Sequence, residues 1–122
     1  MKIKILDCNL GNVKSISNML YSIGYESEII KAPDELKFSD FTILPGVGSF
    51  DQAMSNLELG GWIEPLNNYA MINKKPLLGI CLGMQLLTEA SDEGKKQGLG
   101  FIKGRTVAFD KDRMMKLSLI HI

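Results

Sequence analysis

Cys81 is the residue in this sequence best placed by its neighbours to do chemistry. It stands in Gly79-Ile80-Cys81-Leu82-Gly83, a G-x-C-x-G pattern between an apolar run, Leu77 to Ile80, and a helix-like stretch, Leu82 to Ala90. This is the cysteine counterpart of the nucleophile elbow, in which the reactive side chain sits on a sharp strand-to-helix turn. Side chains at the flanking positions would collide in so tight a turn, and glycine removes the collision. A helix opening behind the sulfur favours an anion there, and the amide of Leu82 is placed to donate to an oxyanion. The plain alternative is a small buried hydrophobe, the commonest role of a free cysteine. Strand end, paired glycines and helix start together favour the nucleophile.

A second candidate is Leu44-Pro45-Gly46-Val47-Gly48-Ser49-Phe50. Gly46 and Gly48 let the backbone approach a ligand and aim amide groups at it, as an acyl-transfer oxyanion requires. Taken alone, the loop is also compatible with an ordinary strand-to-helix turn. It lacks the third glycine of a dinucleotide fingerprint and the Gly-Lys-Ser/Thr of a phosphate loop.

These residues need elements to carry them. Lys2 to Leu6 alternates as a strand does, and Val13 to Ile23 has helical spacing closed by Gly24. Glu26 to Ile30 predicts a second strand. Pro33-Asp34 opens a short helical turn with Leu36 and Phe38 facing inward. Phe41 to Leu44 predicts a third strand cut off by Pro45-Gly46. Helices are expected from Asp51 to Leu57 and from Trp62 to Ile72, the latter with Trp62, Leu66, Tyr69 and Ala70 on one side. Leu77 to Ile80 is a fourth, wholly apolar strand, and Leu82 to Ala90 a helix. Gly94 to Gly104 is loop-rich, and Thr106 to Phe109 reads as a further strand. Alternating strands and helices predict an α/β fold, an open, mostly parallel sheet with helices on both faces. In such a sheet ligands bind at the carboxyl ends of the strands, where Cys81 and the glycine loop both fall.

The bulk composition narrows the function classes. The 122 residues suit one domain, and 45% hydrophobic with 23% charged residues is an ordinary globular mix. Lys+Arg and Asp+Glu both number 14, with no strongly basic stretch, so nucleic acid and membrane surfaces are not expected partners. No run reaches spanning length and the N-terminus lacks a signal peptide's apolar core, so a cytoplasmic protein is expected. The two cysteines, Cys8 and Cys81, are then expected to be free thiols. One histidine and no CxxC pair predict no metal site.

PGVGSF followed by GICLGMQLL resembles the class I glutamine amidotransferases, and more narrowly the glutaminase subunits of imidazole glycerol phosphate synthases. Asp7 to Ser15, DCNLGNVKS, is similar to the opening D-Y-G-x-G-N-x-x-S of those subunits, departing from it at Cys8 and Asn9. Asp51-Gln52-Ala53-Met54 continues the glycine loop in the same manner. Glu93-Gly94 and Gly98 to Gly104 resemble the later E-G…G-L-G-x-I-x-G segment. The resemblance runs to about Met115.

It implies a cysteine-dependent glutaminase of flavodoxin-like fold without a cofactor. Cys81 would attack the side-chain amide of glutamine. The amides of Val47 or Gly48, in the loop opened by Gly46, and of Leu82 would serve the oxyanion, and Gln85 would help hold the substrate. Ammonia would pass to a barrel-shaped cyclase subunit, in a heterodimer, for imidazole glycerol phosphate synthesis in histidine biosynthesis.

The family's catalytic base is a histidine with a glutamate two residues on. Here the single histidine, His121, is followed only by Ile122, so no H-x-E can form. Residues 1–122 are accordingly read as the N-terminal part of one amidotransferase domain, incomplete at the C-terminus. A frameshift near Lys116 is one explanation, because the family continues with Pro-His-x-Gly-Trp where this chain has Leu117 to Ile122. Little turnover is expected of the chain alone. Two other readings stay open: a paralogue feeding ammonia to another synthesis such as that of a surface sugar, and a noncatalytic flavodoxin-like binding module.

Overall fold

A computed structural model describes residues 1–109. Four strands, β1 (Ile3–Leu6), β2 (Ser27–Ile30), β3 (Phe41–Gly46) and β4 (Leu77–Cys81), form one parallel sheet in the order β2-β1-β3-β4. Helix α1 (Val13–Ser22) connects β1 to β2, and a 3₁₀ turn, Pro33–Phe38, leads to β3. Helices α2 (Phe50–Leu59) and α3 (Ile63–Asn67) lie between β3 and β4; α3 runs on as a π turn, Asn68–Ile72. The short α4 (Leu82–Leu86) follows β4, and β5 (Ala90–Ser91) pairs in parallel with β6 (Arg105–Thr106).

The alternation of side chains along each strand divides the core into two layers. Leu6, Ile30 and Leu44 point to one face, packed with Phe50, Leu57, Trp62, Leu66 and Leu86 of α2, α3 and α4 and their flanks. Ile3, Ile5 and Ile43 point to the other, where Val13, Ile16 and Leu20 of α1 meet them. The expected parallel sheet with helices on both faces is borne out. The Trp62, Leu66 and Tyr69 stripe is buried, although the helix that carries it changes to π geometry after Asn67.

Three local expectations are corrected. The helix after Cys81 stops at Leu86 instead of Ala90, because loop amides take the carbonyls that a longer helix would satisfy internally: Leu99 donates to Leu86, Ile102 to Leu87 and Gly100 to Thr88, at 2.7, 2.9 and 3.0 Å. The strand expected over Thr106 to Phe109 is confined to Arg105–Thr106, and the Ala108 amide turns to the Asp92 carboxylate at 3.1 Å. Phe38 is exposed at 64%. A 3₁₀ turn repeats every three residues, so Leu36 and Ser39 share the inner face and Phe38 does not.

Candidate active site

The register of β3 against β4 brings the two candidate segments together. Gly46 lies opposite Cys81, and Pro45 opposite Ile80, at the carboxyl edge of the sheet, so the glycine loop leaves the sheet one strand spacing, about 4.8 Å, from the cysteine. Cys81, Leu82, Gln85, Gly46, Val47 and Gly48 line a hollow of about 300 Å³.

Cys81 itself is exposed and free, and its backbone has φ 55° and ψ −122°. A side-chain-bearing residue with positive φ is strained and persists only where its surroundings enforce it. The flanking glycines do the enforcing. A Cβ on Gly83 would fall on the carbonyl oxygen of Leu44 in β3, well inside contact distance, and one on Gly79 would lie 2.7 Å from the Gly83 oxygen and from Met84 backbone atoms. Gly46 is close as well, its Cβ position 3.2 Å from the Gly83 nitrogen. The elbow is therefore wedged against the end of β3, and the wedge needs Gly79 and Gly83 small and leaves little room at Gly46.

The loop amides are not equally available. The Val47 N–H donates to the Leu10 carbonyl at 2.6 Å, so in this conformation it is engaged within the chain instead of facing a ligand. That leaves Gly48, at φ 102°, as the loop's donor beside the amide of Leu82. Helix α4 has five residues, so the aligned peptides behind the sulfur amount to little over one turn, fewer than a helix to Ala90 would supply.

Gln85 carries the other notable feature. Its Oε1 is buried and has no hydrogen-bond partner among the described residues. Buried amide oxygens are nearly always paired, and the residue that carries this one lines the hollow that holds Cys81. A larger hollow, about 380 Å³, lies between the 3₁₀ turn and the π turn near Lys75, before β4 begins. It is lined by no cysteine, serine or threonine, and it lies near the amino ends of β3 and β4, away from the rim where parallel sheets bind ligands.

The other thiol has a different setting. Cys8 is buried, and burial, with Asp7 adding to it, pushes its pKa from 9.0 to about 11. Its carbonyl accepts from Asn56 Nδ2 at 3.0 Å. The next residue, Asn9, has φ 64°, a conformation glycine adopts freely and asparagine tolerates, which fits the glycine of the resembled pattern at that position.

Two supports of the rim were not among the residues singled out for the site. One is the Leu10 carbonyl on Val47. The other is Asp51, whose carboxylate accepts from the Lys95 amide at 2.9 and 3.0 Å and from the Lys96 amide at 2.8 Å. These bonds hold its pKa below the ordinary value and tie the start of α2 to the Glu93-Gly94 segment. Glu93-Gly94 stood out in the sequence only through the resemblance. The histidine, His121, lies outside the described residues.

Comparison with known proteins agrees with this geometry. The family description "Glutamine amidotransferase class-I" matches residues 4–116. The imidazole glycerol phosphate synthase subunit HisH 2 of Methanococcus maripaludis is 48% identical over 94% of this chain and 57% of its own length. The subunit HisH 1 of Campylobacter jejuni is 45% identical over 94% of this chain and 58% of its own. The chain thus spans little more than half the length of these relatives. Among solved structures, one described as a glutamine amidotransferase superposes with a TM-score of 0.68 at 19% identity, covering 80% of this chain and 51% of that one. A putative peptidase E from Listeria monocytogenes gives 0.60 at 15%, over 72% of this chain and 50% of that one. At such identities the likeness speaks for the fold alone. From the match over most of its length and the identity to these relatives, the chain belongs to the class I glutamine amidotransferases.

Proposed function

We propose that this chain carries the nucleophile half of a glutaminase site, with Cys81 attacking the side-chain carboxamide of glutamine. The supporting observation is the exposed sulfur on a positive-φ elbow opposite Gly46, in a hollow that Gln85 also lines. In the proposed reaction the Cys81 sulfur bonds to the amide carbon and the carbonyl oxygen becomes an oxyanion, received by the amides of Leu82 and Gly48. The C–N bond then breaks. Nitrogen leaves as ammonia with an added proton, and water cleaves the thioester to glutamate and free thiol. Gln85, which lines the same hollow, would help hold the bound glutamine.

With relatives named as imidazole glycerol phosphate synthase subunits, and from the resemblance of the motifs, we extend the proposal to ammonia supply for that synthesis, with a cyclase subunit as the ammonia acceptor in the cytoplasm. Such a partner would meet the rim around the hollow, where Val47 and Met84 are exposed. Residues 1–109 include no histidine, so proton transfer to the leaving nitrogen lacks a positioned imidazole there. General acid–base help is worth about 10²–10⁴-fold, and turnover by the chain alone is expected to be low.

A glutamine-analogue electrophile tests the site without needing turnover. Modification confined to Cys81 and suppressed by glutamine is the expected result. Equal labelling of Cys8 and Cys81, or labelling indifferent to glutamine, would leave Cys81 as an exposed packing residue.

A further inference from the structure

Gly48 takes its orientation from its neighbours in the chain. A Cβ added to it would meet nothing within 4 Å, so no packing holds it, and at φ 102° it has a conformation that only glycine adopts freely. Both flanking residues are anchored. The Val47 amide donates to the Leu10 carbonyl at 2.6 Å. Ser49 caps α2: its carbonyl accepts from the Ala53 amide at 3.0 Å, and its Oγ accepts from the Gln52 amide at 3.4 Å. The direction of the Gly48 amide therefore depends on how the segment after β1 sits against α2. Among the described residues, one hydrogen bond joins that segment to the helix: Asn56 Nδ2 donates to the Cys8 carbonyl at 3.0 Å. A carbonyl only accepts, so the Asn56 nitrogen faces Cys8, and its oxygen is left to accept from Gln52 Nε2 at 2.8 Å. Cys8, Leu10, Val47, Gly48, Ser49 and Asn56 thus close a ring around the rim.

We propose that Asn56 is a positioning residue for the glutaminase reaction: by holding the Cys8 carbonyl to α2, it sets the direction in which the Gly48 amide meets the oxyanion. The proposal rests on the glutaminase reading and adds to it a residue outside the lining of the hollow. Cys8 and Leu10 share a core with Phe50, Ala53 and Leu57 of α2, which keeps the segment close to the helix. Apolar packing is non-directional, however. The hydrogen bond has a preferred line of approach and so fixes the register of segment and helix. Oxyanion donors act by being aimed in advance, so a rotation of the Gly48 peptide is felt in the chemical step and little in substrate binding.

The test compares two reagents on Cys81 in the 122-residue chain. A chloroketone analogue of glutamine is attacked at its carbonyl, whose oxygen carries negative charge before the sulfur–carbon bond to the methylene forms and chloride leaves. Iodoacetamide reacts at a saturated carbon, where iodide leaves directly and no oxyanion arises. Asn56→Asp keeps the shape and the acceptor for Gln52 and removes only the donor; Asn56→Leu removes the donor without adding charge. In both variants the saturating rate of chloroketone labelling should fall about tenfold, the factor that one lost hydrogen bond allows. The half-saturating concentration and the iodoacetamide rate should each change less than about twofold, and Val47 amide exchange should quicken. Gln52→Leu, at an exposed position, should slow the chloroketone alone and by less, which decides the matter if both Asn56 variants misfold. The proposal is overturned if chloroketone labelling is unchanged or faster, or if both reagents slow together, which would mean a distorted elbow. Chloroketone labelling of the unsubstituted chain that glutamine does not suppress would instead remove the glutaminase reading itself. Suppressed labelling with unaltered variant rates would remove only the role of Asn56.

Discussion

Two cysteines follow parallel strands in this chain, two strand positions apart on the same sheet, and meet opposite conditions. After β1 the chain folds inward: Cys8 is buried among Leu6, Leu10 and α2 residues, and its thiol is driven to the neutral form. At the end of β4 the chain turns outward: Gly83 packs against β3 and Gly79 against the start of α4, each with no room for a Cβ, and Cys81 between them has positive φ. The contrast shows that exposure of the sulfur comes from steric wedging of the backbone. Residue type is the same at both ends, and so is strand direction.

The wedge gives the largest expected effect. Gly83→Ala would drive a methyl into the Leu44 carbonyl, and backbone cannot yield as a flexible side chain can, so a loss of about 3 kcal/mol or more is expected. The matching substitution at the Cys8 end is Gly11→Ala, whose new methyl would sit 3.7 Å from Gly46 Cα, an ordinary contact. It should change stability by under about 1 kcal/mol. Urea midpoints of the two variants measure the difference, and equal losses would break the comparison.

The next effect is chemical. With a pKa of about 11, Cys8 is thiolate in about one molecule in ten thousand at pH 7, and only the thiolate alkylates. Iodoacetamide at neutral pH should therefore label Cys81 at least about a hundredfold faster than Cys8, as read by peptide mass spectrometry. The Cys8 rate should climb about tenfold per pH unit toward 11. Stability follows the same shift. A thiol whose pKa rises on folding contributes fully below the unfolded value of 9.0 and loses its contribution as pH climbs through about 11. About 2–3 kcal/mol should disappear across that window, and Cys8→Ala should abolish that alkaline loss.

How much of this contrast could be read in advance depends on where its causes lie. The elbow was legible because an apolar strand, G-x-C-x-G and a helix start are contiguous, and the parallel sheet followed from the strand–helix alternation. The end of α4 was not legible. Leu86 and Leu87 continue an apolar helical pattern, and the stop comes from amides of Leu99, Gly100 and Ile102, more than ten residues along the chain. Phe38 misled for a local reason: its apolar character suggested burial, but two residues apart it cannot share a face with Leu36 on a turn of either 3.6 or three residues. In the candidate site, Gln85 was readable as a position one turn beyond the cysteine, but the isolation of its oxygen is a tertiary fact. So is the Val47 amide on Leu10, which joins the segment after β1 to the segment after β3.

The smallest effect sharpens the contrast from the acid side. Asp51 holds the Lys95 and Lys96 amides, and the bonds from those two amides are the main reason its pKa is lowered. A carboxylate with a lowered folded pKa contributes stability above its unfolded value, here 3.8, and loses it as pH falls through the folded value. Asp51→Asn keeps one carbonyl acceptor but no charge, so the acid limb of the stability curve should flatten. The Lys95 and Lys96 amides should also exchange faster at neutral pH. The loop they belong to runs on to Gly98 and Leu99, whose amides reach Glu89 and the Leu86 carbonyl at the end of α4. Loosening should therefore spread to α4 and the Cys81 side, while Cys8, enclosed by β1 and α2 side chains, keeps its slow alkylation. A variant in which both thiols change reactivity together would mean that the two strand ends share one support, and the outward turn at Cys81 could no longer be assigned to its own wedge.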